Sequence, residues 1–244
     1  MTQQNTPWPS GVFVLIPAYK AAAALDRLLP SLLATVPAAN VCLADDGSHD
    51  GTDMVAAKHE VLYVSNLVNR GKGAALLKGF RHLLSLKNAS WIITVDADGQ
   101  HSVNDLPLFL KRISDAPRSG IIIGRRSMMP GKMPVARIIS NTLTSLFLSL
   151  LTRRRILDSQ CGFRAYSAAC LAAVPCRYQR FEMESEIIMR ACGAGFSIEF
   201  VPVQTLYFSS RSHISHVADT LRWLRAVITV SAELRSKSQN ECTR

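Results

Sequence analysis

The first half of this sequence predicts an α/β fold: a mostly parallel central sheet with helices on both faces. Three observations carry that expectation. Apolar runs bounded by turn residues recur at 12–16, 41–44, 61–65, 91–95 and 121–123. Stretches with helical periodicity lie between them, and strands alternating with helices build parallel sheets. Three of the runs end in chemically rich loops: Pro17-Ala18-Tyr19-Lys20, Asp45-Asp46-Gly47-Ser48 and Asp96-Ala97-Asp98-Gly99-Gln100-His101. Ligands of such sheets sit outside the carboxyl ends of the strands, where these loops would meet.

Taken in order, the helix expected over 74–86 shows Leu76, Leu77, Phe80, Leu83 and Leu84 at helical spacing, and a second covers 106–113. After Gly124 the pattern changes. Helices at about 134–151 and 182–193 flank the segment DSQCGFRAYS, and two short strands at 197–201 and 203–207 follow. A C-terminal helix spans 216–236, and residues 237–244 read as a polar tail. There is no internal repeat and no Pro-, Gly- or Ser-rich linker. Residues 1–215 are therefore expected to form one domain, with a first half at about 11–117 and a second at about 118–215.

The 244 residues are 48% apolar and 19% charged, a globular composition with enough chain for a substantial core. The N-terminal MTQQNTPWPSG has no basic or apolar leader pattern, so no signal peptide is expected. Six cysteines without a CxxC pattern suggest free thiols in a reducing cytoplasm. The net charge of +10 is lopsided: residues 1–117 carry 10 Lys/Arg and 10 Asp/Glu, residues 118–244 carry 18 and 8. A basic half suggests an anionic partner. Nucleic acid fits poorly, since 7% aromatic content offers no stacking platform and no nucleic-acid module is visible.

Asp96 and Asp98 close the fourth strand. If the chain stays extended, i and i+2 project to one side, and two carboxylates there repel unless a cation joins them. Hard oxygen ligands with room for water and phosphate suit Mg²⁺ or Mn²⁺. Other motifs fail. A calcium loop would need Glu where Pro107 stands, Gly71-Lys72-Gly73 is followed by Leu76 rather than a third small residue, and no Ser or Thr follows Lys72.

The motifs IPAYK, ADDGS, NRGKGAALLKGF, VDADGQH, IIIGRR, CGFRAYS, FEMESEI and GFSIEFVPV come in a recognisable order over about 11–215. The chain resembles family-2 glycosyltransferases of the GT-A fold, and within them the polyprenyl-phosphate (dolichyl-phosphate) sugar synthases. The resemblance implies a GDP- or UDP-sugar donor at the strand ends. Pro17, Ala18 and Tyr19 would lie against base and ribose, Asp46 would meet the base, and Asp96 with Ala97 would contact the nucleotide. Asp98 would ligate Mg²⁺ or Mn²⁺ with Gln100 as neutral co-ligand. Asp46 could instead cap its own turn. Lys72, at a helix N-terminus, is either an anion site for the donor or a solvated turn lysine.

On the acceptor side, the same branch places a phosphate-binding arginine at Arg126, and Arg137 lies beyond it. Residues 138–152 carry no charge and are followed by Arg153-Arg154-Arg155. Fifteen helical residues reach about 22 Å, short of the hydrocarbon core, so the expectation is a helix at the bilayer interface or lining the acceptor, rather than a span. A core or dimer contact is the alternative. A phosphate acceptor needs no general base, whereas a hydroxyl acceptor would call on Glu184 or Glu186. Glu182 and Glu186 could equally form a solvated or salt-bridged helix face. Three positions depart from the family pattern: Ala21, Tyr207 and His213, the last a candidate metal ligand. The expected enzyme is thus a metal-dependent, inverting transferase at the inner face of the membrane. It would meet its lipid phosphate peripherally, with a membrane protein or a second copy as a further partner.

Overall fold

A computed structural model describes residues 7–115, 119–127, 133–204 and 216–242. Seven strands form one sheet in the order β3-β2-β1-β4-β6-β5-β7. In chain order these are β1 Val12–Ala18, β2 Val41–Asp45, β3 Leu62–Ser65, β4 Trp91–Thr94, β5 Ser119–Arg126, β6 Arg164–Ser167 and β7 Ser197–Val203. The helices are α1 Ala22–Leu33, α2 Thr52–Lys58, α3 Lys72–Ser85, α4 Leu106–Asp115, α5 Val135–Thr152, α6 Ala168–Ala173, α7 Glu182–Gly193 and α8 His216–Cys242.

Every pairing is parallel except those of β6, which runs antiparallel between β4 and β5. Strands β1, β2 and β4 are buried throughout, as continuous apolar runs inside a helix-covered sheet should be, and β6 is buried throughout although it is not such a run. The register sets Pro17 beside Ala44 and Ala18 beside Asp45, so β1 and β2 end at the same level. Backbone bonds carry this on: Asp46 N–H donates to Ala18 O (2.8 Å), Asn66 N–H to Asp45 O (2.8 Å), and Val95 N–H to Leu15 O (3.1 Å). The loops after β1, β2, β3 and β4 therefore start from one edge.

Three expectations change. The segment CGFRAYS contains a strand that sequence patterning did not reveal, because β6 has only four residues and begins with an arginine. The strand expected at 197–201 does not stop there: β7 runs on through Pro202 to Val203, the first residue of the second expected strand; β7 is an edge strand, where proline is tolerated. Residues 205–207 lie outside the described residues. The helix expected to stop at 236 continues to Cys242, so the tail is helical that far; no glycine or proline interrupts it.

Helix α5 also exceeds its charge-free run. Its 18 residues, with mean hydropathy 1.4, are long and apolar enough to cross a membrane by length and composition, and 17% of that stretch is buried. Its inner face is polar and bonded to the domain: Ser145 Oγ accepts from Ser159 N (2.9 Å), and Ser149 Oγ accepts from Ile156 N (2.9 Å).

Candidate active site

The loop after β2 is built by its two aspartates. Asp45 accepts from Ser48 N (3.0 Å), from Ser48 Oγ and from Tyr63 Oη (3.0 Å). Burial, helped by this carboxylate, pushes the Tyr63 phenol up to about 12. Asp46 is buried and accepts from Asn66 Nδ2 (2.8 Å) and from the N–H groups of Arg70 (3.0 Å) and Gly71. Its carboxylate thus holds the 66–71 loop rather than its own turn, where Asp45 makes the bonds to Ser48. The loop it holds is the one that delivers Lys72.

Lys72 opens α3 and turns inward. Its Nζ lies 2.7 Å from Asp96 Oδ1 and 3.4 Å from Glu184 Oε1. Arg164 Nη2 stands 3.8 Å from the same glutamate oxygen, and His101 Nε2 3.6 Å from Asp96 Oδ2. Acids and cations alternate through this cluster, as buried charges must. Burial opposes the charge of Lys72, yet Asp96 and Glu184 outweigh it and hold the ammonium above the usual lysine range. Burial likewise opposes ionised Asp96, but Lys72 and His101 hold its carboxyl well below the usual range.

The packing is close. A Cβ on Gly162 would lie 2.2 Å from Asp96 Oδ2, and one on Gly73 would lie 2.6 Å from Arg180 O. Only glycine lets the CGF turn rest on the carboxylate and the 179–180 backbone cross the start of α3, where Ala74 N–H donates to Gln179 O (2.7 Å).

Asp98 behaves differently. Strand β4 ends at Thr94, and the 96–98 segment is a turn rather than extended chain, so the expected same-side projection does not hold. Asp96 points into the cluster and Asp98 is exposed. Asp98 Oδ1 accepts from Gln100 N (2.9 Å), and no described cation pairs with it. Burial of its inner part and then the charge of Asp96 raise its carboxyl above the usual range. Among the described residues no group of three or more His, Cys, Asp or Glu could hold a metal. Asp98 and Gln100, the expected ligand pair, share this turn, with the Asp98 carboxylate exposed. One carboxylate leaves room for phosphate oxygens and water, which suits Mg²⁺ or Mn²⁺.

Of the other expected site residues, Pro17, Ala18 and Ala97 are buried at the strand ends, and Tyr19 is exposed beside them. Glu184 joins the Lys72 cluster. Glu186 does not: it is fully buried and accepts from Arg190 Nε (2.8 Å), Arg177 N (2.9 Å) and Tyr178 N (3.0 Å). Arg190 and Arg177 also bind Glu233 of α8, so Glu186 fastens the C-terminal helix rather than serving the strand-end site. Arg126 is gripped through two nitrogens by Asp158 (2.8 and 2.9 Å), a commitment that its expected phosphate-binding role did not foresee. Arg137 is exposed on the first turn of α5. His213 lies outside the described residues. Arg164, Asp158 and the site role of His101 escaped sequence reasoning. His101 alone carried a signal, an imidazole five residues after Asp96 in the same loop.

The architecture is that of GT-A enzymes. It superposes on glucosyl-3-phosphoglycerate synthase from Mycobacterium tuberculosis with bound UDP at a TM-score of 0.73 and 16% identity, covering 91% of this chain and 80% of that one. The same enzyme with Mn²⁺, UDP and product gives 0.71 at 17% identity, with the same coverage. Residues 13–188 match the profile of glycosyl transferase family 2, and the chain belongs to that family. It is 32% identical to undecaprenyl-phosphate mannosyltransferase of Micrococcus luteus over 67% of this chain and 69% of that one. To the UDP-N-acetylglucosamine–dolichyl-phosphate N-acetylglucosaminyltransferase of Methanococcus voltae it is 27% identical, over 80% and 86%.

Proposed function

We propose that this glycosyltransferase moves a sugar from a GDP- or UDP-sugar to the phosphate of a polyprenyl-type lipid at the inner membrane face. Asp98 would hold Mg²⁺ or Mn²⁺, and the anomeric carbon would invert. Relatives whose names specify lipid-phosphate acceptors support the acceptor class. The observation that carries the donor side is the division between two acids in one turn: Asp96 is neutralised by Lys72, while Asp98 stays open.

Each residue then has a defined task. The exposed ring of Tyr19, with Pro17 and Ala18 behind it, offers a face to the base. Asp96, fixed by Lys72 and His101, presents a set orientation to the ribose. Bound at Asp98, the cation would neutralise charge on the departing diphosphate. Arg137 would meet the acceptor phosphate, while Arg126 holds the adjacent loop through Asp158. An acceptor oxygen attacks the anomeric carbon in line, and that carbon's bond to the diphosphate oxygen breaks. The electron pair leaves with the nucleoside diphosphate. The phosphate oxygen is anionic at neutral pH, so no proton has to move. Glu184, engaged by Lys72 and Arg164, positions the lysine.

The test is transfer from UDP- and GDP-sugars with Mn²⁺ to polyprenyl phosphate and to polyprenol. Glu184→Gln should retain transfer to the phosphate. Transfer confined to the alcohol, and abolished by the same substitution, would replace this reading with a hydroxyl acceptor and Glu184 as base.

A further inference from the structure

Helices α5 and α8 both pack on α7, and the last turns of α5 and α7 end beside residues 231–235 of α8. Between the three lies a cleft of 180 Å³. Cys192 in its wall is about 12 Å along α7 from Glu184, so the cleft is separate from the strand-end site. Leu151, Met189 and Leu234 make it apolar. On one side α7 and α8 touch, and a Cβ on Gly193 would lie 2.8 Å from Leu234 Cδ2.

Two members of this lining are polar and unengaged. Ser231 and Arg235 stand one turn apart on the same face of α8, and neither has a partner among the described residues. The other polar members are committed. Thr152 Oγ1 donates to Leu148 O (2.7 Å), and the Cys192 thiol, pushed up to about 11 chiefly by burial, meets Thr152 as a neutral group. The charge at the mouth has one sign. Arg154 is near enough to act on Cys192, Arg153–Arg155 are exposed, and residues 127–157 contain no acid. Glu233 of α8 is bound to Arg177 and Arg190 instead.

We propose that this cleft binds a small aliphatic carboxylate of about six to eight carbons, since a cavity of roughly 150 Å³ already encloses benzene. Its chain would lie against Leu151, Met189 and Leu234, and its head on Arg235 and Ser231. Inorganic phosphate would leave the apolar walls unused, and a neutral hydrocarbon would leave Arg235 and Ser231 unused. A short-chain carboxylate uses both, in the usual division of a small-molecule site between apolar walls and a few convergent polar groups. The tail of a bilayer lipid is too long for this volume to enclose.

The site is tested without donor or acceptor, so it stands or falls apart from the transferase reading. Full-length protein is titrated by calorimetry with octanoate and with octanol, and melted in the presence of each. Octanoate should bind about tenfold more tightly than octanol and raise the melting temperature. Arg235→Gln, at an exposed position, should fold normally, lose about tenfold in octanoate affinity and keep its octanol affinity. Ser231→Leu fills the cleft and should abolish both. No binding of octanoate, equal affinity for octanol, or wild-type octanoate affinity in Ser231→Leu would overturn the proposal. So would an Arg235→Gln protein that melts lower yet binds octanoate as wild type does, since the arginine would then serve only the helix ends beside it.

Discussion

Lys72 Nζ stands 2.7 Å from Asp96 Oδ1, joining the first turn of α3 to the loop that follows β4. Both side chains are mostly buried, and Glu184, 112 residues further along the chain than Lys72, completes the contact. The helix start and the acidic turn are therefore one electrostatic unit.

Replacing Lys72 with Met should destabilise the fold by about 3 kcal/mol, because two carboxylates lose their shared cation. The same change in an Asp96→Asn background should cost less, which thermal melts of the two pairs would show. Asp96, held low, contributes stability above its ordinary 3.8 and loses it as pH falls through the lower folded value. Lys72, held high, contributes below 10.5 and loses it as pH rises through the raised value. The melting difference between wild type and Lys72→Met should be largest near neutral pH and shrink on acidification, because burial raises the carboxyls that have lost Lys72 and their protonation relieves the mutant.

Asp98 titrates in the opposite sense from Asp96. Its raised carboxyl must lose a proton to bind a cation, so Mn²⁺-dependent nucleotide affinity should begin to fall, on acidification, at a pH above that of an ordinary carboxylate. Calorimetric titration of UDP or GDP with Mn²⁺ across pH should show this. In Asp98→Asn the metal dependence should vanish while the melting temperature without nucleotide holds or rises.

Gly162→Ala places a methyl where Asp96 Oδ2 now sits. The carboxylate must move off Lys72 and His101, and nucleotide affinity should drop about tenfold, with a loss of stability of about 1–3 kcal/mol. Gly195→Ala, where a Cβ meets nothing within 4 Å, controls for stability alone, since its φ of +83° strains an alanine. Only the first should alter nucleotide binding.

Glu184→Gln and Glu186→Gln, two residues apart, should separate cleanly. Loss of the Glu186 carboxylate leaves Arg190 without its buried partner and should lower stability by about 2–4 kcal/mol with KM for the donor unchanged. Glu184→Gln should raise KM for the donor through Lys72. Paired melts and donor kinetics distinguish them.

The sequence showed what depends on local pattern. Continuous apolar runs marked β1, β2 and β4, and the acids after β2 and β4 marked the candidate site. It hid what depends on partners far along the chain. Asp46 and Asp96 look alike as strand-end acids, yet one is consumed by the 66–71 backbone and the other by Lys72. Arg126 reads as a free cation until Asp158 is seen against it. The same-side argument for Asp96 and Asp98 failed because it assumed extended chain beyond Thr94, where the backbone turns. Strand β6 was invisible because Arg164, a charge buried with no exposure, contradicts the pattern of a core strand; carbonyls of Ser159, Cys161 and Glu184 satisfy it.

Strand β6 also imposes an order on synthesis. β5 leaves the ribosome before it, yet nothing in the sheet lets β5 reach β4 until residues 164–167 have emerged to lie between them. The nascent β1–β4 unit must wait with the flank of Trp91–Thr94 unpaired, an open template for misassociation. Slow translation between β5 and β6 would lengthen that exposure, whereas a pause after residue 167 would let the sheet close first.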